Sequence, residues 1–183
     1  MKASVFIATS LDGFIARENG ALDWLPPGGG EEHGYTAFMA TIDAIVMGRN
    51  TFETVLTFDA WPFGEKLVVV LTTRPFDARP PRNAVLEFME GDPRDVLYQL
   101  AQRGIRHVYV DGGITVQRFL EAGLVQRLTI TRIPVLLGKG IPLFGPLSHE
   151  IRFEHISTRS YAGGMVTSEY AAISDSIRAE PIR

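Results

Sequence analysis

The stretch VYVDGGITVQRFLEAGL, residues 108–124, constrains the fold more than any other part of the chain. An apolar strand runs into two glycines, Gly112 and Gly113, and then at once into an amphipathic helix. The pattern recurs upstream in AIVMGRNTFETVL, residues 44–56, where the strand ends at Gly48 and Arg49 follows. A helix N-terminus presents unpaired N–H groups and about half a positive charge, so each junction can accept an anion where no Cβ blocks the approach. Either junction alone is equally well explained as a tight turn. Two in one small chain, one of them carrying Arg49 and Thr51, point to a dinucleotide.

Strand-like runs rich in Val, Ile, Leu and Phe recur at 3–9, 43–47, 67–72, 84–88, 107–111, 127–133 and 165–173. Several are apolar on both faces, as strands covered on both sides are. Helical patterns fall between them, at 33–41, at 93–103 after Asp92 and Pro93, and at 114–122. Beyond about residue 122 strands follow without helices between them. This reads as an antiparallel closing portion on a mostly parallel sheet. The chain of 183 residues suits one domain, expected over 1–174, with a polar tail from 175 to 183.

Composition narrows the function. The net charge of −3 gives no broad cationic surface for nucleic acid. The absence of cysteine removes disulfides, thiolate nucleophiles and thiolate metal sites, and fits a reducing cytoplasm. Asp12 and Gly13 interrupt the first apolar run before it reaches the length of a signal sequence, and no later run approaches a membrane span. The four histidines show no metal-binding spacing, and no serine sits in a nucleophile elbow. Hydride transfer needs no protein nucleophile, because a cofactor carries that chemistry. Neither the GxGxxG fingerprint nor the phosphate-binding GxxxxGK[ST] loop is present.

Two further features bear on a site. LTTRP, residues 71–75, ends a strand in two hydroxyls and an arginine, a plausible grip for a phosphorylated ribose. Among the acids, Asp12 in SLDG reads as a turn, Asp111 as a cap for the helix after Gly113, and Glu31 and Glu32 as acids preceding a helix.

Taken in order over about residues 3–171, ATSLDGFIA, LDWLP, AIVMGRNTFE, LVVVLTTRP, VYVDGGITVQRFLEAGLV and RIPVLLGKGIPLF resemble the dihydrofolate reductase superfamily. Within it they resemble the branch related to the C-terminal reductase domain of the bifunctional riboflavin-biosynthesis deaminase/reductase. The resemblance implies a three-layer α/β fold, with a mostly parallel twisted sheet, antiparallel C-terminal strands and helices on both faces. It also implies NADPH as cofactor. Gly48, Arg49, Asn50 and Thr51 would approach the pyrophosphate from one side, and Gly112, Gly113, Ile114 and Thr115 from the other. Thr72, Thr73 and Arg74 would hold the 2′-phosphate, and Ala8, Ile15, Gly20 and Trp24 would lie nearest the nicotinamide. By position Glu32 matches the acid that binds the pterin and assists protonation, which makes it the catalytic candidate. Lys66 stands where the folate enzymes place an arginine for the glutamate tail.

The expectation is therefore an NADPH-dependent reductase of a small pteridine-like or pyrimidine-like compound, forming a homodimer. The alternative is a protein that keeps the cofactor pocket and senses a ligand without reducing it. A zinc deaminase domain is not expected, since its cysteine ligands have no counterpart here.

Overall fold

Each central strand sends alternate residues to opposite faces, and both sets are apolar, so the sheet has to be covered on both sides. The computed structural model describes residues 1–26, 33–74 and 80–173. Its strands are β1 (Lys2–Thr9), β2 (Phe14–Ala16), β3 (Ala44–Gly48), β4 (Leu67–Leu71), β5 (Val85–Met89), β6 (His107–Asp111), β7 (Arg127–Arg132), β8 (Ile141–Pro142), β9 (Phe153–Ser160) and β10 (Val166–Ala172). Its helices are α1 (Tyr35–Ala40), α2 (Arg49–Val55), α3 (Pro93–Gln102) and α4 (Gly113–Glu121).

The main sheet has eight strands in the order β5-β4-β3-β6-β1-β7-β10-β9. Pairing is parallel from β5 through to β7 and antiparallel from β7 to β10 and from β10 to β9. The mostly parallel sheet with an antiparallel C-terminal edge is thus the one the sequence pattern implies. A separate antiparallel pair, β2 with β8, lies outside it.

Alternation divides the core in two. Ala44, Val46, Val69, Val108 and Val110 face α3 and α4 and pack with Val96, Leu100, Val116 and Phe119. Ile45, Met47, Val68, Val70 and Tyr109 face the other way and pack with Met39, Phe52 and Val55 of α1 and α2. Three layers result. Asp92 caps α3 by accepting from the Arg94 amide at 2.8 Å, with Pro93 opening the first turn where no N–H is missed.

The element without a sequence signal is β9. It is an edge strand, and seven of its eight residues are exposed, so no apolar alternation marks it. β2 and β8 are three and two residues long, too short for periodicity to register. No helix among the described residues is long and apolar enough to cross a membrane. The expected tail from 175 lies outside the described residues.

Candidate active site

β3 and β6 are parallel neighbours, with Ala44 opposite Val108 and Met47 opposite Asp111. The helices that leave them go to opposite faces of the sheet. α2 carries Phe52 and Val55 into one core, and α4 carries Val116, Phe119 and Leu120 into the other. Adjacent strands whose connections diverge in this way leave a crevice at their carboxyl ends, the usual ligand position in open α/β sheets.

The two glycine junctions meet across that crevice, and here the sequence argument needs correcting. A Cβ on Gly112 would come within 2.1 Å of Thr51 Oγ1, and one on Gly48 within 2.9 Å of Thr115 Oγ1. Each junction's glycine therefore makes room for the other junction's threonine. A Cβ on Gly113 would meet Ile141 Cγ2 at 3.1 Å and Ile15 Cδ1 at 3.2 Å, so this glycine lets the β2–β8 pair settle on the start of α4. The missing side chains are filled by protein and do not form an open phosphate approach. The junction residues still line the cavity above them.

That cavity has a volume of about 1060 Å³ and adjoins a second of about 760 Å³. Ala8, Ile15, Gly20, Gly48, Thr51, Gly112, Gly113, Ile114 and Thr115 line the larger one. Thr72, Thr73 and Arg74 line the smaller, while Arg49 and Asn50 border both. Ile114 is 69 % exposed, an apolar side chain held at the mouth of a cavity.

The smaller cavity is the cationic one. Arg49, Arg74 and Arg118 border it, against Glu53 and Glu90. Arg49 Nε donates to Glu53 Oε1 at 2.9 Å, and an Arg118 guanidinium nitrogen donates to the Gly91 carbonyl at 2.8 Å. The Thr72 hydroxyl accepts from the Arg74 amide and donates to the Arg74 carbonyl, both at 3.2 Å, which closes a tight turn at the end of β4. A phosphate monoester needs this kind of donor set, with guanidinium groups and strand-end hydroxyls around a concave site.

Other lining residues of the larger cavity bring different chemistry. Phe6, Tyr35, Tyr109 and Asp111 line it from the same face of the sheet. The Phe6 and Tyr35 rings meet edge-on at 5.6 Å. Asp111 does not cap α4, contrary to the sequence expectation. The helix is preceded by Gly112 with no side-chain cap, and Asp111 Oδ1 accepts from the Gly112 amide at 2.8 Å. Burial pushes the Asp111 carboxyl up to about 6, against the opposing pull of the Gly112 amide and the Tyr109 hydroxyl. That hydroxyl gives its one proton to the Phe6 carbonyl at 2.9 Å, so its hold on the carboxyl is the weaker of the two. Tyr35 is pushed up to about 12 by burial and by the charge of Asp111.

The roof of the crevice is fixed by Asp12. Its carboxyl accepts from Ser10 Oγ at 2.6 Å and from the Leu137 and Gly138 amides at 3.2 and 2.7 Å, which ties the turn before β2 to the loop before β8. These bonds hold the carboxyl below its usual range, Ser10 contributing most. Gly13, with φ of 85°, completes the turn that SLDG implies.

Trp24 does not line either cavity. Its neighbours Leu22 and Leu25 do, while the indole nitrogen is buried with no acceptor among the described residues. Glu32, the sequence candidate for catalysis, lies outside the described residues. Lys66 donates to the Ile42 carbonyl at 2.8 Å and is not among the cavity-lining residues. No cluster of metal-binding side chains occurs among the described residues.

Arg118 and the carboxyl of Asp111 as a cavity group are additions that sequence reasoning missed. Arg118 lies five residues after Gly113 on a helix, and only its position beside both cavities distinguishes it from a solvated charge.

Comparison with known proteins agrees with this geometry. Residues 2–167 match the family model described as the RibD C-terminal domain. The uncharacterized protein YwjB of Bacillus subtilis is 33% identical over 163 residues, covering 87% of this chain and 92% of its own. A crystal structure from Shewanella sp. PV-4, provisionally described as a riboflavin biosynthesis protein, is 38% identical with a TM-score of 0.86, over 94% of this chain and 99% of its own. Dihydrofolate reductase from Enterococcus faecalis, solved with NADP(H), shares the fold at 19% identity and a TM-score of 0.65, over 93% of this chain and 96% of its own.

Proposed function

The chain belongs to the RibD C-terminal domain family, and on that premise we propose that it is an NADPH-dependent reductase of a small pteridine-like or pyrimidine-like compound. The observation that carries the reading is the polarity of the crevice. Three arginines and two strand-end hydroxyls border one cavity, and a carboxyl with a raised pKa borders the cavity that adjoins it, together with both helix starts.

NADPH, when bound, supplies a hydride. The residues present fit it. Arg49, Arg74 and Arg118, with Thr72 and Thr73, would hold the phosphorylated ribose, and the helix starts that follow the two glycine junctions would lie along the pyrophosphate. Ala8, Ile15, Gly20 and Ile114 would border the nicotinamide and keep water from it. Asp111, on the wall of the larger cavity, would supply the proton that the reduced C=N or C=O bond takes up. A carboxyl titrating near 6 still delivers a proton close to neutral pH. Glu32 remains the second candidate for that proton, on the strength of its sequence position alone.

Reduction with deuterated NADPH, across dihydropterins and aminouracil derivatives, tests the reading. Transfer of one deuterium to the product is the expected result, and NADPH binding with no transfer to any of them would leave a ligand-sensing protein instead. Arg118→Gln is expected to raise the Kd for NADPH about tenfold, about 1.4 kcal/mol, and to change the Kd for NADH little. An equal effect on both cofactors would place Arg118 away from the 2′-phosphate. We also expect a homodimer, so light scattering at micromolar concentration should give twice the chain mass of 20.2 kDa. The monomeric mass would contradict this.

A further inference from the structure

Two carboxylates stand among the cations of the smaller cavity. Arg49, Arg74 and Arg118 border it, and so do Glu53 and Glu90. An acid as such opposes a phosphate, since like charges repel. The two acids differ in what they hold. The Glu90 side chain makes no hydrogen bond or ion pair among the described residues. Glu53 Oε1 accepts from Arg49 Nε at 2.9 Å, one turn apart on α2, and both residues line both cavities.

The Arg49 and Glu53 side chains stay 35 % and 41 % exposed, so their ion pair adds little to stability. Its effect is on geometry. A guanidinium is a flat fork on a flexible stem, and a carboxylate bound to its Nε–H sets the plane of the fork and the direction of its terminal nitrogens. Arg118 is held as well, by its bond to the Gly91 carbonyl at 2.8 Å. Two of the three arginines are thus oriented by the protein itself, and a phosphate that joins them costs less side-chain freedom.

Resting on the reductase reading above, we propose that Glu53 is a positioning residue for the cofactor. It holds the Arg49 fork in the orientation that receives the 2′-phosphate, and so helps to set the preference for NADPH over NADH. The orientation it imposes outweighs the repulsion between its own charge and the phosphate.

Calorimetry on the full chain, at about 0.15 M salt where exposed charges are partly screened, would compare Glu53→Ala, Glu53→Gln and Glu90→Gln with the unaltered protein. Glu53→Ala is expected to raise the Kd for NADPH about fivefold or more and that for NADH by less than about twofold. Retained NADH binding also shows that the variant is folded. Glu53→Gln loses the charge but keeps an acceptor for Arg49 Nε, so it is expected to bind NADPH at least as tightly as the unaltered protein. Glu90→Gln removes a charge and no bond to an arginine, and is expected to do the same. Tighter NADPH binding by both Glu53 variants would mean that the carboxylate acts through its charge alone, and unchanged binding by both would leave it a helix-surface ion pair. Either result overturns the proposal. An equal loss for NADPH and NADH would overturn it too, since the effect would then lie away from the 2′-phosphate. Absence of NADPH binding by the unaltered protein would contradict the reductase reading and the proposal with it, whereas the other adverse results leave that reading standing.

Discussion

Replacing Gly112 by alanine is expected to lower the melting temperature by roughly 8–16 °C, about 4 kcal/mol for a domain of this size. Two costs add. Gly112 sits at φ 89° and ψ 151°, a region open in practice to glycine alone, where another residue costs about 1–3 kcal/mol. The new Cβ would also fall 2.1 Å from Thr51 Oγ1, and overpacking of this kind costs about 1–3 kcal/mol. The second cost depends on Thr51 and the first does not. In a double-mutant cycle, Thr51→Gly should therefore recover about 1–3 kcal/mol of the loss, leaving the backbone strain. Thermal or denaturant unfolding of the four proteins checks this. Additive effects would mean that the two junctions do not interlock.

Asp111→Asn is expected to lower turnover at least 100-fold while leaving NADPH affinity nearly unchanged, as removal of a proton-delivering group does. The same change should make the protein more stable at neutral pH. Because the folded-state value lies near 6, above the ordinary 3.8, folding is favoured by protonation, and the penalty for the ionised carboxyl grows as pH rises between those values. The full difference corresponds to about 3 kcal/mol. Solvent in the cavity reduces it to about half, so roughly 3–6 °C in Tm. The gain of the Asn variant should be complete above about pH 6 and absent below about pH 4. If Asp111 delivers the proton as proposed, turnover of the unaltered protein should fall as pH rises through about 6. A slow variant without the stability gain would indicate damage to the fold and not loss of the acid.

Much of this was legible in the sequence, for identifiable reasons. Val68, Val69 and Val70 read as a strand buried on both faces because both faces are covered. The Gly48 and Gly112 junctions stood out because a strand passing directly into a helix leaves few alternatives. Their physical meaning was not legible. That Thr51 fills the space beside Gly112, and Thr115 the space beside Gly48, depends on β3 and β6 lying side by side, with α2, β4, β5 and α3 between them in the chain. Asp111 looked like a helix cap because an acid before a helix usually is one. Burial in the folded chain is what raises its pKa, and no local sequence signal reports that. The resemblance sets Trp24 near the nicotinamide, and in the structure its neighbours Leu22 and Leu25 line the larger cavity while Trp24 does not. β9 escaped notice because an exposed edge strand carries no apolar period.

Thermal unfolding with NADPH, with NADH and with neither tests the central claim most directly. A ligand at about 100 times its Kd adds about 2.7 kcal/mol, a shift of roughly 5–11 °C here. A shift of that size with NADPH and a much smaller one with NADH at the same concentration is the predicted result. No shift with either cofactor would mean that the interlocked glycine junctions and the three arginines are features of the fold alone, and would contradict the reductase reading.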